Sequence, residues 1–273
     1  MVGEFSVLMS VYDKENPEWF RSAIESIFKQ TLLPNEIVLI RDGQLTEELN
    51  SVIDEFQSVN PIFRVINNDT NLGLGLSLQK GVLACSNEII ARMDTDDLMP
   101  VDRFEKEYKC ILEGKYDLVS CWSLLFEDSI DNVVAIKKRP ENHLDIVRYA
   151  KKRSPVSHPG SMFRRKAVIE AGNYQKVNLY EDYHLWVRMI YNGAVFYNIQ
   201  ESLYYVRTSV NQIGRRGGYK YMRNEISVFL YFYHIGFYSL LDFLSNILTH
   251  SIVRILPVCL RSFIFKLIWK NSV

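Results

Sequence analysis

Short apolar runs alternate with helical patterns through the first third of the chain, and this alternation constrains the fold more than any other feature. Buried strands are predicted at Phe5–Val11, Ile37–Ile40, Phe63–Ile66 and Ile89–Met93. Helices are predicted between them, because apolar residues recur there at helical spacing. Strands joined by helices adopt right-handed crossovers and lie largely parallel. The sequence therefore predicts an α/β fold, with a mostly parallel sheet flanked by helices.

Two aspartates lie directly after predicted strands. Asp42 follows the strand Ile37–Ile40, and Asp94 follows the strand Ile89–Met93. In open sheets of this kind, ligands bind beyond the carboxyl ends of the strands. We therefore expect Asp42 and Asp94 to converge on one crevice.

The second half of the chain is less regular. Leu118–Ser120 predicts a further strand, and the apolar spacing of Asp182–Tyr191 predicts a helix. The stretch Lys137–Ser154 is polar, and no element is predicted there. Beyond Gly217-Gly218 the chain is rich in Phe, Tyr, Leu and Ile at helical spacing. We expect a main domain over residues 1–215 and a helical carboxyl-terminal extension over residues 216–273.

The charge balance and the cysteines limit the classes of function. The 32 basic residues balance 32 acidic residues, so the chain lacks the cationic excess of a general nucleic-acid binder. The four cysteines have no CxxC or CxxH spacing, which argues against a structural zinc site and a disulfide framework. The amino terminus also lacks the basic region and long apolar core of a secretory signal. A reduced, cytosolic location is expected.

The run Asp94-Thr95-Asp96-Asp97 places three carboxylates within four residues. Their mutual repulsion is costly unless a cation offsets it. Such oxygen ligands suit Mg²⁺ or Mn²⁺, which keep coordination positions open for phosphate oxygens. A solvated acidic turn explains an isolated run equally well.

Three further positions are candidates for chemistry, and each has a plainer alternative. Asp182, beside Glu181, can act as a general base on a hydroxyl, or it can cap a helix or stabilise its positive end. Arg215 and Arg216 lie among glycines and can close over a diphosphate, or they can form a solvated loop. His158 can contact a substrate, but a lone histidine is more often structural.

The order and spacing of several segments resemble one enzyme family. These segments are Ser6–Tyr12, Ser26–Thr31, Glu36–Gly43, Asn71–Gly73, Arg92–Asp97, His158–Met162 and Tyr180–Tyr183. Together, over roughly residues 5–210, they resemble the family 2 glycosyltransferases of the GT-A fold. The resemblance is greatest to bacterial enzymes of O-antigen and amylovoran-type exopolysaccharide synthesis. It implies a GT-A catalytic domain over residues 1–215.

The resemblance also implies roles for residues at the nucleotide end of the site. Ser10, Val11 and Tyr12 would line the nucleotide pocket. Asp42 would hydrogen-bond the base, and Asp94 would contact the ribose.

The same resemblance implies how the reaction proceeds. Asp94, Asp96 and Asp97 would hold Mn²⁺ or Mg²⁺ with the donor diphosphate, and Asp182, with Glu181 beside it, would be the catalytic base. Such enzymes invert the anomeric centre by direct displacement. The QxxRW signature of the processive members is absent from the sequence, which favours addition of one sugar per encounter.

The expected substrates follow from the resemblance alone. The donor would be a UDP-sugar, with galactose favoured and glucose next, and the acceptor a saccharide on undecaprenyl diphosphate. One pocket contact can reverse a preference between sugars that differ at one hydroxyl. Two other functions stay open from the residues themselves: a sugar-phosphate nucleotidyltransferase, and a noncatalytic nucleotide-sugar-binding protein.

The carboxyl-terminal tail suggests a location. Residues 226–241 are almost entirely apolar but too few to cross a bilayer. Basic residues then interleave with apolar ones, at Arg254, Arg261, Lys266 and Lys270, with Trp269 among them. This pattern is typical of helices lying on an anionic membrane surface, and packing on the main domain explains it equally well. Peripheral association with the inner face of the bacterial cytoplasmic membrane is the expectation.

Overall fold

The computed structural model describes residues 1–208 and 217–256. The strands are β1 (Val2–Val11), β2 (Leu33–Asp42), β3 (Phe63–Asn68), β4 (Ile89–Arg92), β5 (Leu118–Phe126), β6 (Val133–Lys137), β7 (Ser161–Arg164) and β8 (Phe196–Arg207). The helices are α1 (Pro17–Phe28), α2 (Glu47–Val59), α3 (Leu74–Ala84), α4 (Arg103–Glu113), α5 (His143–Ala150), α6 (Arg165–Glu170), α7 (Glu181–Tyr191), α8 (Tyr219–His234) and α9 (Leu240–Ile255).

All eight strands belong to one sheet, in the order β3-β2-β1-β4-β7-β5-β6, with β8 paired to β5. The pairs among β1 to β4 are parallel, as the alternating pattern predicts. Beyond β4 the sheet is mixed: β7 runs antiparallel to β4 and β5, β6 runs antiparallel to β5, and β8 runs parallel to β5. The predicted α/β class is confirmed, and the parallel character is concentrated in the first half.

The central strands contribute to two cores, one on each face of the sheet. Leu8 and Val38 pack with residues of α3, α5, α7 and α8. Val7 and Met9 pack with residues of α1, α2 and α4. Because both faces are covered, these strands are continuous apolar runs rather than alternating ones. Full burial of each such side chain contributes about 1.5–3 kcal/mol.

Two local signals mark the start of α1. The Asn16 side chain accepts hydrogen bonds from the backbone N–H groups of Glu18 and Trp19, at 2.9 and 3.1 Å, and Pro17 occupies the first turn. The polar stretch Lys137–Ser154, where no element is predicted, contains α5. Strand β8 also lies where the sequence predicts no element.

The carboxyl-terminal helices pack against the main domain. Phe229, Phe232 and Tyr238 are buried in the same core as α7, and the hydroxyls of Tyr183 and Tyr238 lie 2.7 Å apart. For the described part of the carboxyl-terminal extension, packing on the main domain, one of the two explanations of its sequence pattern, is therefore observed. The expected boundary between residues 215 and 216 lies outside the described residues. None of the helices within residues 1–208 and 217–256 combines the length and apolar character of a membrane span.

Candidate active site

A large cavity lies beyond the carboxyl ends of β1, β2 and β4 and extends to α7, α8 and α9. Its volume is about 1530 Å³, whereas single small-molecule sites typically measure about 300–1,000 Å³. Asp42 and Asp94 both line it, so the predicted convergence is confirmed. The cavity has room for two substrates.

The three aspartates of the acidic run form one cluster in this cavity. Carboxylate oxygens of Asp94, Asp96 and Asp97 lie within 4.8 Å of one another. Asp97 is buried, whereas Asp94 and Asp96 are partly exposed to the cavity. Three carboxylates at this separation form an oxygen donor set suited to a divalent cation.

The negative charge of this cluster is only partly compensated by protein groups. Burial, reinforced by the charges of Asp94 and Glu15, raises the pKa of Asp96 to about 7. Arg92, which is fully buried, forms an ion pair with Asp94. A divalent cation would favour the ionised carboxylates, so the residues present fit a metal ion, with Asp94 and Asp96 as the accessible ligands.

Asp97 also has a structural role. Its carboxylate accepts a hydrogen bond of 2.8 Å from the backbone N–H of Arg207, and the Tyr204 hydroxyl also bonds to it. The same hydroxyl accepts the backbone N–H of Asp94 at 3.0 Å. Strand β8 therefore fixes the conformation of the acidic run, and Asp97 is the least accessible of the three predicted ligands.

Glu15 is a site residue that the sequence does not single out. It follows β1, and its carboxylate accepts a hydrogen bond of 2.5 Å from the Thr95 hydroxyl. Burial raises the pKa of Glu15, and the charge of Asp94 adds to the increase. Without the fold, nothing distinguishes Glu15 from the other acidic residues of its loop.

At the nucleotide end, Asp42 is buried and organises the neighbouring loop. Its carboxylate accepts hydrogen bonds from the side chain of Asn68 and from the backbone N–H groups of Leu72 and Gly73, at 2.8–2.9 Å. Lys80 in turn donates to the side-chain oxygen of Asn68 at 3.0 Å. The role predicted for Asp42, bonding to a base, would add to this structural one.

The predicted nucleotide-pocket residues on β1 divide between the cavity and the core. Ser10 and Tyr12 line the cavity. The side chain of Val11 is instead fully buried in the core with Met9, because successive residues of a strand point to opposite faces. The prediction that Val11 lines the pocket is therefore wrong for its side chain.

Glu181 and Asp182 form the first turn of α7 and line the cavity. Burial, followed by the charge of Asp182, raises the pKa of Glu181 to about 7. Burial also raises the pKa of Asp182, although a hydrogen bond of 3.3 Å from the Ser154 hydroxyl opposes this. The N-cap of α7 is Tyr180, so Asp182 does not cap the helix. It does lie in the first turn, where the positive end of the helix favours a carboxylate, and it also lines the cavity.

His158 lines the cavity but is firmly held by aromatic neighbours. Its Nε2 lies 2.9 Å from the Tyr174 hydroxyl, and its ring meets Trp186 edge-on at 5.9 Å. Burial, together with the charge of Arg92, keeps its pKa well below the usual 6.5. His158 is therefore neutral, and its contact with an acceptor stays a prediction. Arg215 and Arg216 lie outside the described residues.

An ion cluster from α8 and α9 also lines the cavity. Arg254 donates to both oxygens of Glu225 at 2.8 and 2.9 Å, and His250 lies 2.8 Å from one of them. Although burial opposes it, these hydrogen bonds lower the pKa of Glu225 to about 2. Arg254 thus faces Glu225 rather than a membrane surface. The other cations predicted there lie outside the described residues, at Arg261, Lys266 and Lys270, as does Trp269.

Sequence similarity identifies relatives over nearly the whole chain. Residues 6–172 match the family described as Glycosyl transferase family 2. The chain is 38% identical over 268 residues to the UDP-Gal:alpha-D-GlcNAc-diphosphoundecaprenol beta-1,3-galactosyltransferase of Escherichia coli, covering 96% of this chain and 95% of that protein. It is 33% identical over 266 residues to the amylovoran biosynthesis glycosyltransferase AmsE of Erwinia amylovora, covering 96% and 98%.

Structural similarity extends to more distant proteins. S. aureus TarS in complex with UDP-GlcNAc superposes with a TM-score of 0.66 at 14% identity, over 91% of this chain and 72% of that one. The mannosyltransferase PcManGT from Pyrobaculum calidifontis, in complex with GDP-Man and Mn²⁺, gives 0.66 at 14% identity, over 91% and 69%. This likeness confirms the expected fold.

Proposed function

The chain belongs to glycosyltransferase family 2, and we propose that it transfers a hexose from a UDP-sugar to a saccharide carried on a lipid diphosphate. One observation supports this most strongly. The carboxylates of Asp94 and Asp96 and those of Glu181 and Asp182 line one cavity, although they come from distant segments. The first pair suits a metal-bound diphosphate, and the second supplies a base.

In this proposal Asp182 is the catalytic base. Its carboxylate takes the proton of the acceptor hydroxyl while that oxygen attacks the anomeric carbon, and the bond from this carbon to the UDP oxygen breaks. Direct displacement inverts the anomeric centre. Ser154 orients the Asp182 carboxylate through its hydrogen bond of 3.3 Å. A divalent cation held by Asp94 and Asp96 would offset the charge of the departing diphosphate.

The relatives support the substrate classes. The E. coli relative is named for transfer from UDP-Gal to GlcNAc-diphosphoundecaprenol, so UDP-galactose is the proposed donor, with UDP-glucose second. The proposed acceptor is a saccharide on undecaprenyl diphosphate, in the synthesis of O-antigen or another surface polysaccharide. In this proposal Ser10 and Tyr12 contact the nucleotide, and Arg215 and Arg216 contact the diphosphate.

The proposal includes peripheral attachment to the inner face of the bacterial cytoplasmic membrane, where a lipid-linked acceptor would be reached. Leu241, Leu244, Leu248 and Ile252 recur at helical spacing on α9 and are 53–79% exposed. An apolar stripe of this kind is typical of helices that lie in a membrane interface. Replacing Leu244 and Leu248 by Glu should reduce co-sedimentation with anionic vesicles.

Leu112→Glu is the matched control for the membrane test, because Leu112 is equally exposed but lies on α4. Vesicle binding should survive this change. If the unchanged protein fails to bind anionic vesicles even at low salt, the membrane part of the proposal is wrong.

The transfer itself is tested with UDP-galactose or UDP-glucose and GlcNAc-diphosphate on a short alkyl chain. We expect UDP release and an inverted linkage in the product, identified by NMR. Chelation should abolish turnover, and Mn²⁺ or Mg²⁺ should restore it. Asp182→Asn should reduce kcat by about a hundredfold or more, since the base is lost, and Asp96→Ala should abolish metal-dependent turnover.

Asp131→Ala is the matched control, since Asp131 is an exposed aspartate in the turn between β5 and β6. Its turnover should equal that of the unchanged protein. Release of pyrophosphate instead of UDP would favour a nucleotidyltransferase. UDP binding without turnover in both the unchanged protein and Asp96→Ala would favour a noncatalytic binder.

A further inference from the structure

A group of basic side chains lines the same cavity as the acidic cluster but comes from other elements. Lys138 and Arg139 directly follow β6, and Arg153 follows α5. We call these three residues the basic wall. None of the ion pairs within residues 1–208 and 217–256 involves any of them.

Two cations of the basic wall meet at one aromatic ring. The guanidinium carbons of Arg139 and Arg153 lie 5.8 and 5.7 Å from the centroid of the Tyr149 ring. Cation–π contact holds each of them against the ring, but the two like charges repel each other. Burial lowers the pKa of Arg139, and the charge of Arg153 lowers it further. An anion between the two would relieve this repulsion.

The Arg139 side chain also has a donor without an acceptor. Its Nε is buried and lacks a hydrogen-bond partner in the described part of the chain. Among the described residues, its Nη1 donates to the backbone oxygen of Lys138 and to the Tyr149 hydroxyl, at 3.2 and 3.5 Å. A buried guanidinium donor normally has a partner, and phosphate oxygens are well matched to the planar fork of Arg.

The backbone beneath the wall is fixed in advance of any ligand. Both Trp122 and Gln200 donate side-chain hydrogen bonds of 3.2 Å to the backbone oxygen of Arg139. Asn198 donates to the backbone oxygen of Pro140 at 2.7 Å. Because these contacts hold the segment in place, little conformational entropy would be lost when an anion binds.

We propose that the basic wall binds the diphosphate of the lipid-linked acceptor, an inference that rests on the proposed function. The wall adjoins the proposed base: Ser154, next to Arg153, donates to Asp182, and the charge of Asp182 acts on Arg139. Only one sugar ring separates the diphosphate on the anomeric carbon of an acceptor monosaccharide from its attacking hydroxyl. A site for the acceptor diphosphate must therefore lie near the base.

In the proposed function, the donor diphosphate binds at Asp94 and Asp96 rather than at the basic wall. Asp94 and Asp96 are carboxylates, so they can hold a diphosphate only through a cation. The basic wall needs no cation, because its side chains donate directly to phosphate oxygens. Binding of the donor diphosphate thus depends on a cation at Asp94 and Asp96, whereas binding of the acceptor diphosphate does not, and experiments can separate the two.

The test compares two acceptors with the purified full chain. One is GlcNAc-diphosphate on a short alkyl chain, and the other is an alkyl glycoside of GlcNAc without phosphate. Arg153→Ala should raise KM for the diphosphate acceptor by about tenfold or more. The rise in KM for the neutral glycoside should be much smaller, and the Kd for UDP should not change. Arg139→Ala should behave alike, and Arg139→Lys should restore part of the affinity.

Lys152→Ala is the matched control, since Lys152 is exposed, adjoins Arg153 and is absent from the cavity lining. Its kinetic constants should equal those of the unchanged protein. The proposal is overturned if Arg153→Ala and Arg139→Ala weaken both acceptors equally, or if they raise the Kd for UDP instead.

Direct binding of a short-chain alkyl diphosphate, measured calorimetrically in the presence of UDP, separates failure of this site from failure of the proposed function. If the unchanged protein transfers no sugar but binds the alkyl diphosphate, and Arg153→Ala abolishes that binding, the anion site stands and the proposed transfer is wrong. If transfer to the lipid diphosphate proceeds equally in all variants, the basic wall is wrong and the transfer stands.

Discussion

Glu181→Gln tests whether the carboxylates at the start of α7 are maintained at a cost in stability. The Glu181 carboxyl is largely buried in the cavity wall beside Asp182, and both effects disfavour its ionised form. Glutamine has nearly the same shape and cannot ionise. The substitution should therefore stabilise the fold wherever the native Glu181 is charged, and it should do so in a pH-dependent manner.

The magnitude and its sign follow from the shifted pKa. A native pKa of about 7 against an ordinary value of 4.5 corresponds to at most about 3 kcal/mol of unfavourable free energy for the ionised group. Because the folded state binds the proton more tightly, the unchanged protein loses stability as pH rises from the unfolded pKa to the folded one. We expect Glu181→Gln to unfold with nearly the same free energy at about pH 4 and to be about 1–3 kcal/mol more stable at about pH 8.

Urea unfolding in the presence of a chelator, followed by far-ultraviolet circular dichroism, measures this difference at several pH values. Glu47→Gln is the control, since Glu47 begins α2 as Glu181 begins α7 but is exposed. Removing its charge from a helix amino terminus should cost only about 0.3–1 kcal/mol. A Glu181→Gln variant that is equally stable at every pH, or destabilised at high pH, would refute the argument.

Two further predictions concern the supports of the cavity. Glu225→Gln removes the carboxylate that Arg254 contacts, so thermal unfolding at neutral pH should reveal a loss of about 3–5 kcal/mol; since the pKa of Glu225 is lowered to about 2, the difference should shrink as pH falls from about 4.5 towards 2. Tyr204→Phe leaves the N–H of Asp94 without its acceptor, so it should cost about 1–3 kcal/mol in urea unfolding and raise KM for the donor. Tyr197→Phe, at an exposed hydroxyl bond, should change neither.

The first half of the fold could be predicted because its physical signals are local. Buried parallel strands are continuous apolar runs. Asn16 followed by Pro17 is a typical helix start, because Asn is a favoured N-cap and Pro is favoured in the first turn. Strand β8 gives no such signal, since Asn198, Gln200 and Glu201 interrupt its apolar residues. This segment forms a strand because it pairs in parallel with β5 along its length. Pairing between segments that are distant in sequence cannot be predicted from the residues of either segment alone.

The residues of the candidate site likewise fall into those that the sequence predicts and those that it does not. The acidic run could be predicted as a site, because three carboxylates in four residues repel one another unless a cation offsets their charge. Arg139 gave no signal, because an arginine in a polar stretch is ordinary until Tyr149 and Arg153 are folded against it. Glu15 could not be predicted either, because its contacts form only in the folded chain. The same holds for the hydrogen bond from the backbone N–H of Asp94 to the Tyr204 hydroxyl.

The separation of opposite charges within one cavity is itself a requirement of the proposed chemistry. If Arg139 and Arg153 lay against Asp94 and Asp96, they would form ion pairs there, as Arg92 does with Asp94. The carboxylates would then no longer require a cation, and neither diphosphate would have a site. Asp182 interacts with both groups, since its charge acts on Arg139, and its own pKa is raised by burial and further by the charge of Asp94. The basic wall comes from the segments that follow β6 and α5, and the acidic run does not predict that these segments reach the cavity.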